Sequence, residues 1–304
     1  MRYNLFLTIF LLFSIITISD HGNTARANQI TWDNYITAVN AGQEVKIKGF
    51  SHGDGVDLTG RIYTPEGSGP YPALVALHGA GGIFPYQLWW ANWISKKGFV
   101  VLFIDSYCTR GYLCEHFTGD KDSNRGKIMR KWDKVSIKQR IFDAAAGYQF
   151  LLDNSMVKKD SIGLIGWSWG GTTALFAQKF AKRLNLPEGG FKGTIAFYPN
   201  LVHVEKKRQW KGSGKINQPT LVLYGKLDVL ESVNSYKRFL KKKHPGPITI
   251  IGYERAVRKF DELGPHRLKN HPRVGSFPKA FHKKSFENSL DVLAKFLKNN
   301  FVSK

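Results

Sequence analysis

Short, nearly continuous apolar runs recur along the chain at intervals, each followed by a longer stretch of mixed character. Ala73 to Leu77, Val100 to Ile104, Ile162 to Ile165, Gly193 to Phe197, Thr220 to Tyr224 and Ile248 to Tyr253 form the first class. Runs of that length, without polar alternation, fit strands covered on both faces. The stretches Tyr86 to Lys97, Asp133 to Asp153, Thr172 to Arg183, Glu231 to Lys242 and Lys279 to Asn299 read as helices. Ahead of them, Val45 to Phe50 begins by alternating apolar with polar residues, and Leu58 to Tyr63 follows a Gly-rich turn. Together these two predict an antiparallel hairpin. A long loop is expected from Asp105 to about Trp132. Strands alternating with helices through right-handed crossovers make a mostly parallel sheet of about eight strands, with helices on both faces.

The chain has 304 residues, 42% of them hydrophobic, which is enough for one sizeable core. Residues 28–304 are therefore expected to form a single α/β domain. Residues 1–27 read differently. Arg2 supplies a positive start, Leu5 to Ile18 an apolar run, and Ala25-Arg26-Ala27 a small-x-small cleavage pattern. The apolar run falls short of the roughly 20 residues that a membrane span needs. The expectation is a signal peptide and an exported protein, periplasmic or secreted. Cys108 and Cys114 lie in one loop, and a disulfide between them suits an oxidising compartment.

The net charge is +22. Removing residues 1–27 lowers it by only one unit, since Arg2, Arg26 and Asp20 leave together. The excess is concentrated at Lys206-Lys207-Arg208, Lys241-Lys242-Lys243 and between Arg255 and Lys284. Such a surface attracts anionic substrates or an anionic membrane surface, and equally describes a lysine-rich solvated face. Nucleic acid is not expected, because no recognition motif accompanies the charge.

The chemistry centres on Gly166-Trp167-Ser168-Trp169-Gly170, which follows the Ile162 run and precedes a helical pattern. Gly-x-Ser-x-Gly in that context is a nucleophile elbow: small residues on either side let strand and helix approach, and the turn lifts the serine hydroxyl above the sheet. Upstream, Leu77-His78-Gly79-Ala80-Gly81-Gly82 follows another buried strand. An α/β-hydrolase keeps part of its oxyanion hole there, so the Ala80 and Trp169 N–H groups are the candidate donors. His78 reads as a loop residue rather than the base. Asp228 follows the Leu221-Val222-Leu223-Tyr224 run and occupies the acid position in the chain order serine, acid, histidine. Trp167 and Trp169 either wall an acyl pocket or pack under the helix.

With these pieces in place, Asp57 to Phe301 resembles the dienelactone hydrolase family, in particular its exported serine-bearing members. The resemblance rests on His78-Gly79-Ala80-Gly81-Gly82, Asp105-Ser106 with Arg110-Gly111, Arg140 with Asp143, the Ser168 motif, and Gly225 with Asp228. It implies the α/β-hydrolase fold and cleavage of a carboxylic ester or related acyl bond. Founding members carry cysteine where Ser168 stands. Arg110 and Arg140 either bind a substrate carboxylate or brace the loop.

One departure matters. The family places its histidine in a segment like Tyr-x-x-Ala-x-His-x-Phe-Asp, and this chain reads Tyr253-Glu254-Arg255-Ala256-Val257-Arg258-Lys259-Phe260-Asp261. Arg258 stands in the histidine position, and a guanidinium stays protonated at neutral pH. His266 is the nearest downstream candidate to complete a triad; His271 and His282 lie further on. Two readings follow: a hydrolase working through Ser168, Asp228 and His266 on a small ester or acyl compound, or a degenerate member that binds ligands or a membrane surface. No cofactor is expected. No metal is expected either, since no HExxH or CxxC spacing occurs.

Overall fold

The computed structural model describes residues 31–112, 135–201, 216–241, 246–263, 267–271, 275–279 and 281–302. Residues 1–27, the expected signal peptide, lie outside that set, as do Cys114 and His266.

Eight strands form one sheet: β1 (Gln43–Ile47), β2 (Leu58–Tyr63), β3 (Tyr71–Leu77), β4 (Val100–Asp105), β5 (Val157–Trp167), β6 (Thr194–Phe197), β7 (Thr220–Gly225) and β8 (Ile248–Tyr253). Their order is β1-β2-β4-β3-β5-β6-β7-β8. β2 runs antiparallel to both β1 and β4, and the pairs from β4 through β8 are parallel. The helices are α1 (Trp32–Ala41), α2 (Pro85–Ser95), α3 (Ile137–Leu152), α4 (Trp169–Leu184), α5 (Val233–Lys241) and α6 (Lys283–Phe301). α3 starts at a Ser-x-x-Gln capping box: Gln139 N–H donates to Ser136 Oγ at 3.2 Å, and Ser136 N–H donates to Gln139 Oε1 at 2.9 Å.

Period-two alternation divides each central strand between two cores. Leu74 and Ala76, Val101 and Phe103, and Ile165 and Trp167 face the layer holding α2 and α6. Ala73 and Val75, Val100 and Leu102, and Ile162 and Leu164 face the layer holding α3 and much of α4. The continuous apolar runs arise because both faces are covered. At the end of α6, Phe301 is 3% exposed and enters slots over two adjacent strands. A Cβ at Gly163 would lie 2.5 Å from its ring, and one at Gly193 2.8 Å away. Ser161 Oγ donates to the Phe301 carbonyl at 2.9 Å.

Several elements depart from the sequence reading. β1 begins two residues before Val45 and leaves Phe50 outside the strand. β5 extends from Val157 to Trp167 because a polar, largely exposed segment at Lys158 to Asp160 continues it beyond the apolar run. α1 was not anticipated, nor was the separate hairpin of β9 (Arg267–His271) and β10 (Gly275–Lys279). The hairpin takes up Lys279, so α6 begins at Lys283 rather than at Lys279.

Candidate active site

The parallel strands end on one edge of the sheet, and the site is assembled from the turns that leave them. Ser168 ends β5 and caps α4 with φ 55 and ψ −116, a backbone conformation rare for a residue with a side chain. Its N–H donates to Phe197 O at 2.8 Å, and its carbonyl accepts from Thr172 N at 3.0 Å. A Cβ at Gly170 would collide with the Leu77 and His78 carbonyls, and one at Gly166 with the Gly170 carbonyl. Both glycines are thus required by backbone meeting backbone. Tyr198 (φ 36) and Lys259 (φ 61) adopt the same unusual region beside Ser168 and Arg258. Such residues cost about 1–3 kcal/mol each and gather at functional sites.

The upstream loop lies against this turn. A Cβ at Gly79 would sit 3.4 Å from Ser168 Cβ and 3.9 Å from Ser168 Oγ. Ala80 follows it directly. Trp169 is the first residue of α4, where backbone N–H groups lack intrahelical acceptors. The Trp169 ring is buried on the α3 side, whereas Trp167 is buried on the other face, stacked between Phe103 and Phe197. Packing, rather than an acyl wall, is what the Trp167 ring does here.

His78 is fully buried and structural. Its Nδ1 lies 2.6 Å from the Gly79 carbonyl, and its Nε2 accepts from Ser106 N at 3.1 Å. That pattern assigns the proton to Nδ1. The Arg140 Nη2 donates to the His78 carbonyl, and burial lowers the pKa of Arg140. Arg110 donates to Ser106 O at 2.8 Å and to both Asp143 oxygens at 2.8 and 3.0 Å, and it reaches Asp54 at 2.9 Å. Its Nη atoms are thus taken up by two carboxylates and a carbonyl, so of the two roles open to Arg110, substrate binding and bracing, the bonds it makes here are those of bracing. Cys108, two residues before it, is disulfide-bonded.

Asp228 and Arg258 come together on the other side of Ser168. A Cβ at Gly225 would collide with the Ala256 carbonyl, so the loop after β7 lies directly on the segment after β8. Leu227 N–H seals the contact by donating to Ala256 O at 3.0 Å. Asp228 Oδ1 accepts from Leu230 N at 2.9 Å, and Oδ2 accepts from Arg258 Nη1 at 2.6 Å. Arg258 Nη2 donates to Ser168 Oγ at 2.7 Å. The Arg258 side chain is 4% exposed and that of Asp228 is fully buried. Burial opposes the guanidinium's charge, but the Asp228 carboxylate and the nearby Tyr236 and Tyr198 outweigh it, leaving its pKa raised. The order serine, cation, carboxylate reproduces the spacing of a triad with a group that cannot accept a proton.

The histidines stand elsewhere or outside view. His266 lies outside the described residues. His271 closes β9. His282 caps α6, with Nδ1 2.6 Å from Ser285 Oγ. Asp261, at the end of the segment that carries Arg258, also belongs to this assembly. Its buried carboxylate accepts from the Trp90 and Trp167 indoles and from the Tyr198 hydroxyl. Three hydrogen-bond donors carried on α2, β5 and the turn after β6 leave no local sequence signal.

The profile of the dienelactone hydrolase family, a family of hydrolases, matches residues 58–297. The chain belongs to that family. Among curated proteins it is similar to the thiohydrolase aneE of Aspergillus aculeatus, 32% identical over 134 residues, which are 44% of this chain and 37% of that protein. The chain therefore spans little more than a third of that relative. Solved structures of similar fold include a putative dienelactone hydrolase from Klebsiella pneumoniae subsp. pneumoniae, with TM-score 0.61, 15% identity, and coverage of 87% of this chain and 100% of that one. Another is the dienelactone hydrolase-like promiscuous phosphotriesterase P91 from metagenomic libraries, with TM-score 0.60, 19% identity, and coverage of 86% and 99%. A third is Thermogutta terrifontis esterase 2 phosphorylated by paraoxon, with TM-score 0.57, 16% identity, and coverage of 87% and 96%. At such identities these structures establish the α/β-hydrolase fold alone. Among the described residues no three His, Cys, Asp or Glu side chains gather as metal ligands do, and no helix is long and apolar enough to cross a membrane.

Proposed function

We propose that this family member binds a small ester- or acyl-bearing molecule at Ser168, and that Arg258 replaces the general base, so that the centre engages its ligand without the turnover of a Ser–His–Asp hydrolase. The observation that carries the reading is the bridge from Arg258 to Ser168 Oγ and Asp228 Oδ2 at 2.7 and 2.6 Å. A hydrolase serine donates its hydrogen bond to a base, which then takes the proton. Here the serine oxygen accepts from a group that is always protonated, and among the described residues no base stands in the histidine position to take the hydroxyl proton. In this reading the N–H groups of Ala80 and Trp169, together with the guanidinium, receive the ligand's carbonyl or anionic oxygen.

A second reading keeps turnover through an acyl-enzyme, with Ser168 as nucleophile, Asp228 as acid and His266 as base. The strained turn at Ser168 favours it, because a backbone conformation of that cost persists where the surrounding structure enforces it. In either reading the protein is exported through residues 1–27 to a periplasmic or extracellular setting, which the Cys108 disulfide supports. The +22 charge supports an anionic ligand or an anionic membrane surface.

The test combines hydrolysis of a short-chain chromogenic ester with labelling by a serine-directed phosphonate, on the mature protein and on Ser168→Ala. The first reading expects ester binding, measured as protection against thermal unfolding, with hydrolysis no faster than in Ser168→Ala. Hydrolysis that Ser168→Ala abolishes and that His266→Ala also abolishes would replace it by the second.

A further inference from the structure

Asp261 is 1% exposed, and among the described residues no cationic side chain pairs with it. Three donors converge on it instead. Trp90 Nε1 and Trp167 Nε1 reach Oδ2 at 3.1 and 3.0 Å, and Tyr198 OH reaches Oδ1 at 2.8 Å. The Tyr198 hydroxyl also lies 3.2 Å from that of Tyr86. Two indoles and a phenol on one buried carboxylate exceed what a core needs for solubility or packing. An apolar residue of similar size with three apolar neighbours would fill the space without desolvating a charge.

What the donors have in common is their position. Trp167 immediately precedes Ser168. Tyr198 follows Phe197, whose carbonyl accepts the Ser168 N–H, and its ring lies 5.3 Å from the Arg258 guanidinium carbon. Trp90 is on α2, the helix entered from the loop that carries Ala80. Asp261 itself is three residues beyond Arg258. One carboxylate therefore ties together, from behind, the four segments that meet at Ser168.

We propose that Asp261 is a positioning residue, which sets the geometry of the Ser168 turn relative to Arg258 by gathering Trp90, Trp167 and Tyr198 onto one acceptor. The role does not depend on whether the centre hydrolyses or only binds. Asparagine would preserve it: its Oδ1 accepts both indoles while its amide donates to the Tyr198 oxygen, whose own proton turns to Tyr86. Leucine would abolish it at similar volume.

The test is amide hydrogen exchange on the ligand-free protein, comparing the peptide that spans Ser168 with one from α3 on the opposite face. In Asp261→Leu the Ser168 peptide is expected to lose about tenfold or more in protection, the scale of one lost hydrogen bond to a charged group, and α3 much less. Asp261→Asn should keep the ratio of protection between the Ser168 peptide and α3 within about threefold of the wild type, whatever it does to global stability. Trp167→Phe keeps the stack with Phe103 and Phe197 and removes a single donor, so it tests the idea even if the leucine variant fails to fold. It too should loosen the Ser168 peptide selectively. Protection of that peptide unchanged in Trp167→Phe, a loss shared equally with α3, or asparagine as damaging as leucine would each overturn the assignment.

Discussion

Replacing Arg258 with histidine should convert the centre into an ordinary serine hydrolase. In the wild type, the guanidinium donates in both directions, to Ser168 Oγ at 2.7 Å and to Asp228 Oδ2 at 2.6 Å. An imidazole in this position would donate from Nδ1 to Asp228 and accept from the serine through Nε2, reversing the polarity of one bond and leaving the other intact. The family pattern carries histidine at this register, so the segment after β8 has room for it. General-base assistance is worth about 10²–10⁴ in rate, or about 3–5 kcal/mol of barrier. Arg258→His is thus expected to hydrolyse a short-chain chromogenic ester about a hundred- to ten-thousand-fold faster than the wild type. Its rate should rise with pH and then level off, because neutral imidazole is the active form. The midpoint should lie above the usual value of about 6.5, since the Asp228 carboxylate favours the imidazolium. The wild type should show no plateau, its slow rate following hydroxide concentration. A wild-type rate that already levels off near neutrality, with Arg258→His no faster, would refute the reasoning and return attention to His266.

Other outcomes follow from the same geometry. Arg258→Met should destabilise the protein by about 3–5 kcal/mol, because the fully buried Asp228 carboxylate loses its counter-charge; urea unfolding at pH 7 measures it, and Asp228→Asn in the same background should recover part of the loss. Gly170→Ala should cost about 3 kcal/mol, since its Cβ meets the Leu77 and His78 carbonyls rather than a side chain that could turn aside. Burial pushes the Asp261 carboxyl from 3.8 up to about 6. A pKa raised on folding adds stability that is complete below the unfolded value and disappears as pH rises through the folded one. Asp261→Asn should therefore be more stable than the wild type at pH 8, by up to about 3 kcal/mol, and no more stable at pH 3.5; paired denaturation curves at the two pH values decide it.

The sheet was legible because its strands are buried on both faces, so uninterrupted runs such as Val100 to Ile104 have no competing reading once Gly and polar stretches bound them. The Ser168 turn was legible for a related reason: the steric demand falls on Gly166 and Gly170, two residues away on either side, and leaves a fixed local mark. Arg258 was visible as a departure, but its consequence was not. Only the fold shows that a side chain longer than histidine still reaches both Asp228 and Ser168. Asp261 and the brace of Arg110 by Asp143 and Asp54 were hidden for the opposite reason. Their partners lie up to 171 positions away, and no spacing rule connects them. The hairpin of β9 and β10 escaped because Arg267 to Lys279 carries charge, proline and glycine instead of an apolar alternation.

The ring of Phe301 occupies the slots that Gly163 and Gly193 leave over β5 and β6. The strand that presents Ser168 is thus completed by the far end of α6, a contact of long sequence separation. Closing such a contact costs more chain entropy than pairing neighbouring elements, so β5 reaches its final packing only when α6 docks. Phe301→Ala would leave both slots empty and hold the strand in that half-packed state.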